Sequence, residues 1–129
     1  STAANLSSCD DCLEFTISTN DLLSISKSKV LLGMERYFES EEIIRDQLLR
    51  KNDDPELWLL LSEIQRNSQN IIGYHQSRAE YFLLLGQDDK ALNQLEFALQ
   101  LTQNNFQVSE SLMNKIVEIK KNLSSARGL

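Results

Sequence analysis

Turn formers are scarce in this chain, which has one proline and four glycines in 129 residues. That scarcity excludes collagen-like and low-complexity architectures and leaves long uninterrupted helices as the natural reading. Aromatic residues make up only 7% of the sequence, so leucine and isoleucine must do most of the packing. Positive charge is also thin, with no Lys or Arg before Lys27 and a formal net charge of −6. A phosphate backbone is bound through clustered cations, and here the thirteen Lys and Arg are scattered, so nucleic acid is excluded as a partner. No apolar run approaches the roughly 20 residues that cross a bilayer, because Leu57 to Leu61 is broken at once by Ser62-Glu63. The sequence opens at Ser1 without an initiator Met or a leader, and is read as a processed product or an excised fragment.

Ligands and nucleophiles are equally few. Cys9 and Cys12 enclose Asp10-Asp11, and two carboxylates beside the sulfurs disfavour the thiolate that redox chemistry needs. A zinc site needs four ligands, and beyond these sulfurs the sole imidazole is the distant His75. The pair therefore reads as a short disulfide or two free thiols. His75 has no nucleophile or second ligand near it in sequence and reads as a packed or hydrogen-bonded side chain. There is no His-Glu-x-x-His, no Gly-rich phosphate loop and no nucleophile elbow. Adjacent carboxylates such as Glu41-Glu42 and Asp53-Asp54 point apart on a helix or act as caps. The expectation is a chain without catalysis, cofactor, metal or small-molecule substrate of its own.

What is present is helical periodicity. Residues 1–20 form an acidic segment, partly disordered or a short helix over Asp10 to Ile17 that stops at Thr16 to Asn20. Residues 21–124 form the helical domain and 125–129 a flexible tail. Within the domain, Asp21 to Glu35 carries Leu22, Ile25, Lys29, Leu32 and Leu23, Val30, Met34 on overlapping stripes. A second helix, Glu39 to Lys51, buries Ile43, Ile44 and Leu48, with Leu49 a further candidate. Asn52-Asp53-Asp54-Pro55 is a stop followed by a start, with Asp54 capping and Pro55 in the first turn. Further helices cover Pro55 to Asn67, Ile71 to Leu85, Asp88 to Thr102 and Ser109 to Leu123, with a turn at Gly86-Gln87.

Counted from Ile72, the residues Ala79, Phe82, Gly86, Ala91, Leu95 and Ala98 are small, aromatic, turn, small, large and small where a tetratricopeptide hairpin wants them. Small residues let two helix backbones approach, and Leu95 and Phe82 fill the space above them. From Pro55, the residues Trp58, Leu61, Ser62 and Gln65 suggest a first helix of such a unit, with Trp58 in the core. Asp21 and Pro55 are 34 residues apart, with the Ile72 unit offset by half a repeat. The fold class is all-α, a tetratricopeptide-like superhelical stack of antiparallel hairpins with about six helices. First helices of such arrays line a concave groove. On the Pro55 helix the groove positions are Glu56, Leu59, Glu63 and Arg66, and on the Ile72 helix Gly73, Gln76, Glu80 and Leu83. Clamps that hold acidic chaperone tails carry Lys and Asn at these places, so Leu59, Glu63, Gln76 and Glu80 disfavour that role.

The run from Gly73-Tyr74-His75-Gln76-Ser77-Arg78-Ala79-Glu80-Tyr81-Phe82 to Gln87, then Lys90 to Leu99, resembles the C-terminal tetratricopeptide region of bacterial M48-type zinc metallopeptidases. Asp54-Pro55-Glu56-Leu57-Trp58 and the closing Asn114 to Leu123 helix fit the same layout, so the likeness spans Val30 to Leu123. The resemblance implies a periplasmic accessory module in outer-membrane protein assembly and quality control. Its partners would be its own protease domain, outer-membrane barrel precursors or the assembly machinery. It also implies a zinc ion held by a His-Glu-x-x-His helix in a preceding domain, whose ligands are not in this chain. The alternative is a free-standing scaffold unrelated to proteolysis, and the acidic Cys9 to Asp21 segment has no counterpart in the family.

Overall fold

The computed structural model describes residues 10–126, with side chains over 21–125. The Cys9-Cys12 pair and the tail expected over 125–129 lie largely outside these limits. Six helices follow in order: α1 Asp10–Gly33, α2 Tyr37–Arg50, α3 Pro55–Asn67, α4 Ile71–Leu84, α5 Asp88–Gln100 and α6 Phe106–Ala126. There is no strand among the described residues, and none of their helices is long and apolar enough to cross a membrane. Each helix packs chiefly on the next in chain order, which the short connections make antiparallel. The all-α stack of helix hairpins read from the sequence is therefore the fold.

Local chemistry sets most of the boundaries. Asp54 accepts a hydrogen bond from Glu56 N at 3.0 Å with Pro55 in the first turn, and Asn70 accepts one from Gly73 N at 3.1 Å to open α4. Asn105 accepts from Val108 N at 3.2 Å, which starts α6 at Phe106, three residues ahead of the expected Ser109. Three helices end in one closure. A residue in the left-handed region, Glu35 (φ 61°), Gln69 (φ 66°) or Gly86 (φ 75°), lets the next amide reach back five residues. The bonds are Arg36 N to Leu31 O at 2.9 Å, Asn70 N to Gln65 O at 2.8 Å and Gln87 N to Phe82 O at 2.9 Å.

Two expectations for the first helix are corrected. The backbone is helical from Asp10 straight through the stop expected at Thr16 to Asn20. Ser, Thr and Asn only weaken a helix, whereas Pro or Gly would break one, and neither occurs before Gly33. Asp21 is thus inside α1 and starts no hairpin. The 34-residue recurrence falls instead on Tyr37 and Ile71, the starts of α2 and α4. The buried face of α1 follows the expected stripes only in part: Ile25 and Leu32 pack on the core, but Leu22, Leu23, Val30 and Met34 are exposed while Ser28 and Leu31 are buried. Ser28 and Ser40 explain this, because each hydroxyl donates to the other's backbone carbonyl (3.1 and 2.7 Å), so the helices cross at small residues.

The core is two apolar clusters. Ile44, Leu48, Leu57, Leu60, Leu61 and Ile64 join α2 to α3, with Ile25 and Leu32 of α1 and a half-buried Trp58 against them. Ala79, Ala91, Leu95, Ala98, Leu112, Ile116 and Ile119 join α4, α5 and α6. Each fully buried Leu or Ile stabilises the fold by at most about 1.5–3 kcal/mol. Ala79 and Ala91 are 1% and 0% exposed, as the close approach of α4 and α5 requires. Leu49, a candidate for burial, is 86% exposed because α2 turns that side to solvent.

Ala91→Leu is expected to overpack the α4–α5 crossing and lower stability by about 1–3 kcal/mol, read by thermal unfolding. A melting curve equal to wild type would remove the crossing from that position. Gln69→Gly should raise stability by about 0.5–1 kcal/mol in chemical denaturation, because glycine carries no left-handed penalty.

Candidate functional site

Between the two apolar clusters, the α3–α4 contact is polar. Gln65 and Ser77 are buried there, and the Gln65 amide lies 2.6 Å from Ser77 Oγ. With its nitrogen toward Ser77 and the Gly73 carbonyl (2.8 Å) and its oxygen toward Arg45 Nη2 (3.3 Å), every partner is satisfied. Gly73 is required by this seam. A Cβ there would stand 2.6 Å from Asn70 Nδ2 and 2.7 Å from the Gln65 amide, and both side chains are held by hydrogen bonds, Asn70 through its Oδ1.

The seam is the floor of a cleft of about 410 Å³. Its walls are Arg45 of α2, Gln76 and Glu80 of α4, and Ser111, Asn114, Lys115 and Glu118 of α6, with Trp58 and Leu61 behind. Lys115 Nζ lies 3.5 Å from Glu80, an ion pair that ties α6 to α4 across the opening. Arg45 is steadied by Glu41 at 2.9 Å. At one end the cleft shares Arg45, Gln65, Gly73, Gln76 and Ser111 with a hollow of about 440 Å³ that reaches Asn70 and Gln107. At the other it shares Arg45 and Trp58 with a larger, more apolar hollow of about 910 Å³ lined by Glu42, Asp46, Leu48 and Leu49. The indole of Trp58 is fixed at this rim by donating to Asn52 O at 2.9 Å. Trp58 is accordingly part core and part surface, not the wholly buried residue its position suggests.

The eight groove positions named from the sequence do not share one surface. Gln76 and Glu80, with Gly73, line the cleft. Glu56, Leu59 and Glu63 line a separate depression of about 160 Å³ against Ile25 and Lys29 of α1. Arg66 is exposed and lines neither, and Leu83 packs on the α4–α6 core. The cause is alternation: α3 and α4 are successive arms of the stack, so residues chosen from both arms face different sides. The cleft belongs to α2, α4 and α6, every second helix. Applied uniformly, the 34-residue step would have found more of it. From Gln76 and Glu80 it leads back to Glu42 and Asp46, which line the apolar hollow, and from Glu80 forward to Asn114.

His75 is outside the cleft. Its Nδ1 donates to Gln94 Oε1 at 2.8 Å and its ring stacks on Phe97 at 5.6 Å, so it packs α4 on α5 as a bonded structural histidine. Among the described residues no three His, Cys, Asp or Glu side chains gather to hold a metal. No protein-family model matches the sequence, and no curated protein matches it.

Gln65→Leu keeps the volume but leaves the Ser77 hydroxyl and the Gly73 carbonyl without their buried partner. Stability should fall by about 1–3 kcal/mol in urea denaturation. A neutral result would mean that the seam is hydrated rather than closed.

Proposed function

We propose that this chain is a protein-binding module of tetratricopeptide type that holds an extended polypeptide segment along the α2–α4–α6 cleft. The observation that carries the reading is the composition of that surface. Amides and hydroxyls of Gln76, Ser111 and Asn114 can meet the donors and acceptors of a strand-like backbone. Leu49 and Trp58 offer an apolar seat at one end. Arg45, Glu80, Lys115 and Glu118 then select the charge of the neighbouring side chains. Because helix packing builds the walls in advance, the scaffold loses little order on capture, and the cost of binding falls mainly on the ligand.

On the same proposal the module is the accessory domain of a periplasmic zinc metallopeptidase acting in outer-membrane protein assembly. Its ligands would be barrel precursors, the assembly machinery or its own protease domain, and it would itself carry no catalysis. This part rests on the sequence likeness over Val30 to Leu123 alone. A His-Glu-x-x-His motif in the reading frame upstream of Ser1 would support it. An upstream frame without that motif favours the free-standing scaffold.

Glu80→Lys is expected to abolish most capture of peptides from an array of short extended sequences. It should change stability by no more than about 1 kcal/mol, because the Glu80–Lys115 pair is partly solvated (side chains 35% and 36% exposed). Glu63→Lys, on the α1–α3 depression, should bind as wild type. The reverse outcome, loss with Glu63→Lys and retention with Glu80→Lys, would move the site to the other side of the stack.

A further inference from the structure

The last helix carries an apolar stripe that the stack leaves uncovered. Phe106, Met113 and Val117 are 79%, 52% and 63% exposed. They lie along one side of α6, turned away both from Leu112, Ile116 and Ile119 in the core and from Ser111, Asn114, Lys115 and Glu118 at the cleft. Charged residues flank the Met113–Val117 part of the stripe in a particular order, with Glu110 on its N-terminal side, between Phe106 and Met113, and Lys120 and Lys121 on its C-terminal side. That order has a symmetry. Met113 and Val117 stand two residues either side of Lys115, and Glu110 and Lys120 five residues either side.

We infer that α6 is a homodimerisation surface, pairing antiparallel with α6 of a second copy about a two-fold axis level with residue 115. In that register Met113 of one copy faces Val117 of the other, and Val117 faces Met113, so the apolar centre is self-complementary. Glu110 lies level with Lys120 and one residue from Lys121 of the second copy, and the symmetry repeats the attraction at the opposite end. Phe106 covers the stems of those lysines and the level of Ser124. An apolar centre rimmed by matched charges is the anatomy of an isologous interface.

The other open face of the stack does not have this property. On α1 the exposed Leu22, Leu23, Val30 and Met34 are interrupted and flanked by Asp21, Lys27, Lys29 and Glu35. A two-fold pairing that sets Leu22 level with Met34 would place Lys27 level with Lys29 and Asp21 level with Glu35, like charge against like, so the charges there do not match as they do on α6. The cleft lies on a different side of α6, and pairing leaves it open.

The test is sedimentation equilibrium of the chain across a wide concentration range, with circular dichroism of each variant as the control for folding. Wild type should fit a single monomer–dimer equilibrium. Val117→Glu, at an exposed position, should remain helical and become monomeric. Glu110→Lys should weaken the dimer by about tenfold or more, equivalent to roughly 1.4 kcal/mol. Adding Lys120→Glu and Lys121→Glu to Glu110→Lys should restore dimerisation, which no purely structural role of these residues would produce. A wild-type chain that stays monomeric throughout would overturn the inference. So would failure of the triple charge reversal to rescue, or an open series of ever larger species, which would signal head-to-tail pairing of α6 with α1.

Discussion

The α3–α4 contact is the constraint on which the rest of the structure depends. On either side of it the stack is held by apolar clusters that could tolerate sliding, since leucine and isoleucine contacts are not directional. At the seam, Gln65, Ser77, Gly73, Asn70 and Arg45 must all meet within hydrogen-bonding reach, and a displaced neighbour would leave a buried polar group unpaired. The seam therefore fixes the register of one hairpin against the next. It also fixes the floor of the cleft, so the feature that orders the fold and the feature that shapes the cleft are the same residues.

A second constraint works at the crossings nearest the turns. Ser28 and Ser40, and likewise Gln65 and Ser77, meet across a turn at a separation of 12 residues. Ala79 and Ala91, both buried, repeat that separation at the α4–α5 turn. Small or hydrogen-bonded pairs at this spacing bring the arms together, while the left-handed residues Glu35, Gln69 and Gly86 set the angle at which each helix is left. Two of those three residues are not glycine. Their strain is held by the back-bonds at Arg36 and Asn70, and only where no side chain is needed does Gly86 relieve it.

Features governed by a few adjacent residues were legible in the sequence. Asp54-Pro55 announces a helix start by its own chemistry, and the α4–α5 hairpin can be read from Ala79, Gly86, Ala91, Leu95 and Ala98, because close packing demands small residues at those positions. Features that depend on the whole stack were harder to read. The stripes of α1 are ordinary amphipathic spacing, and only the Ser28–Ser40 contact shows which side is covered. Arg45, Lys115 and Glu118 belong to the cleft through helices far apart in sequence, so no local motif marks them. The groove positions were divided for a related reason. Asp21 and Pro55 share an acidic or capped appearance at the repeat distance, but Asp21 is mid-helix, and a phase error of one helix in an alternating stack exchanges one face for the other.

This alternation also bears on how such a surface could be used. Every second helix contributes to the cleft, so a bound strand would touch α2, α4 and α6 without touching the turns that join them. The Glu80–Lys115 pair is the one ion pair among the described residues that links helices not adjacent in sequence, and it lies at the mouth of the cleft. About one third exposed on each side, it contributes little to stability, and α6 is held against α4 and α5 by the apolar packing of Leu112, Ile116 and Ile119. A ligand charge could therefore compete for either partner at small energetic cost, while the seam of Gln65 and Ser77 and the apolar core beneath it stay closed.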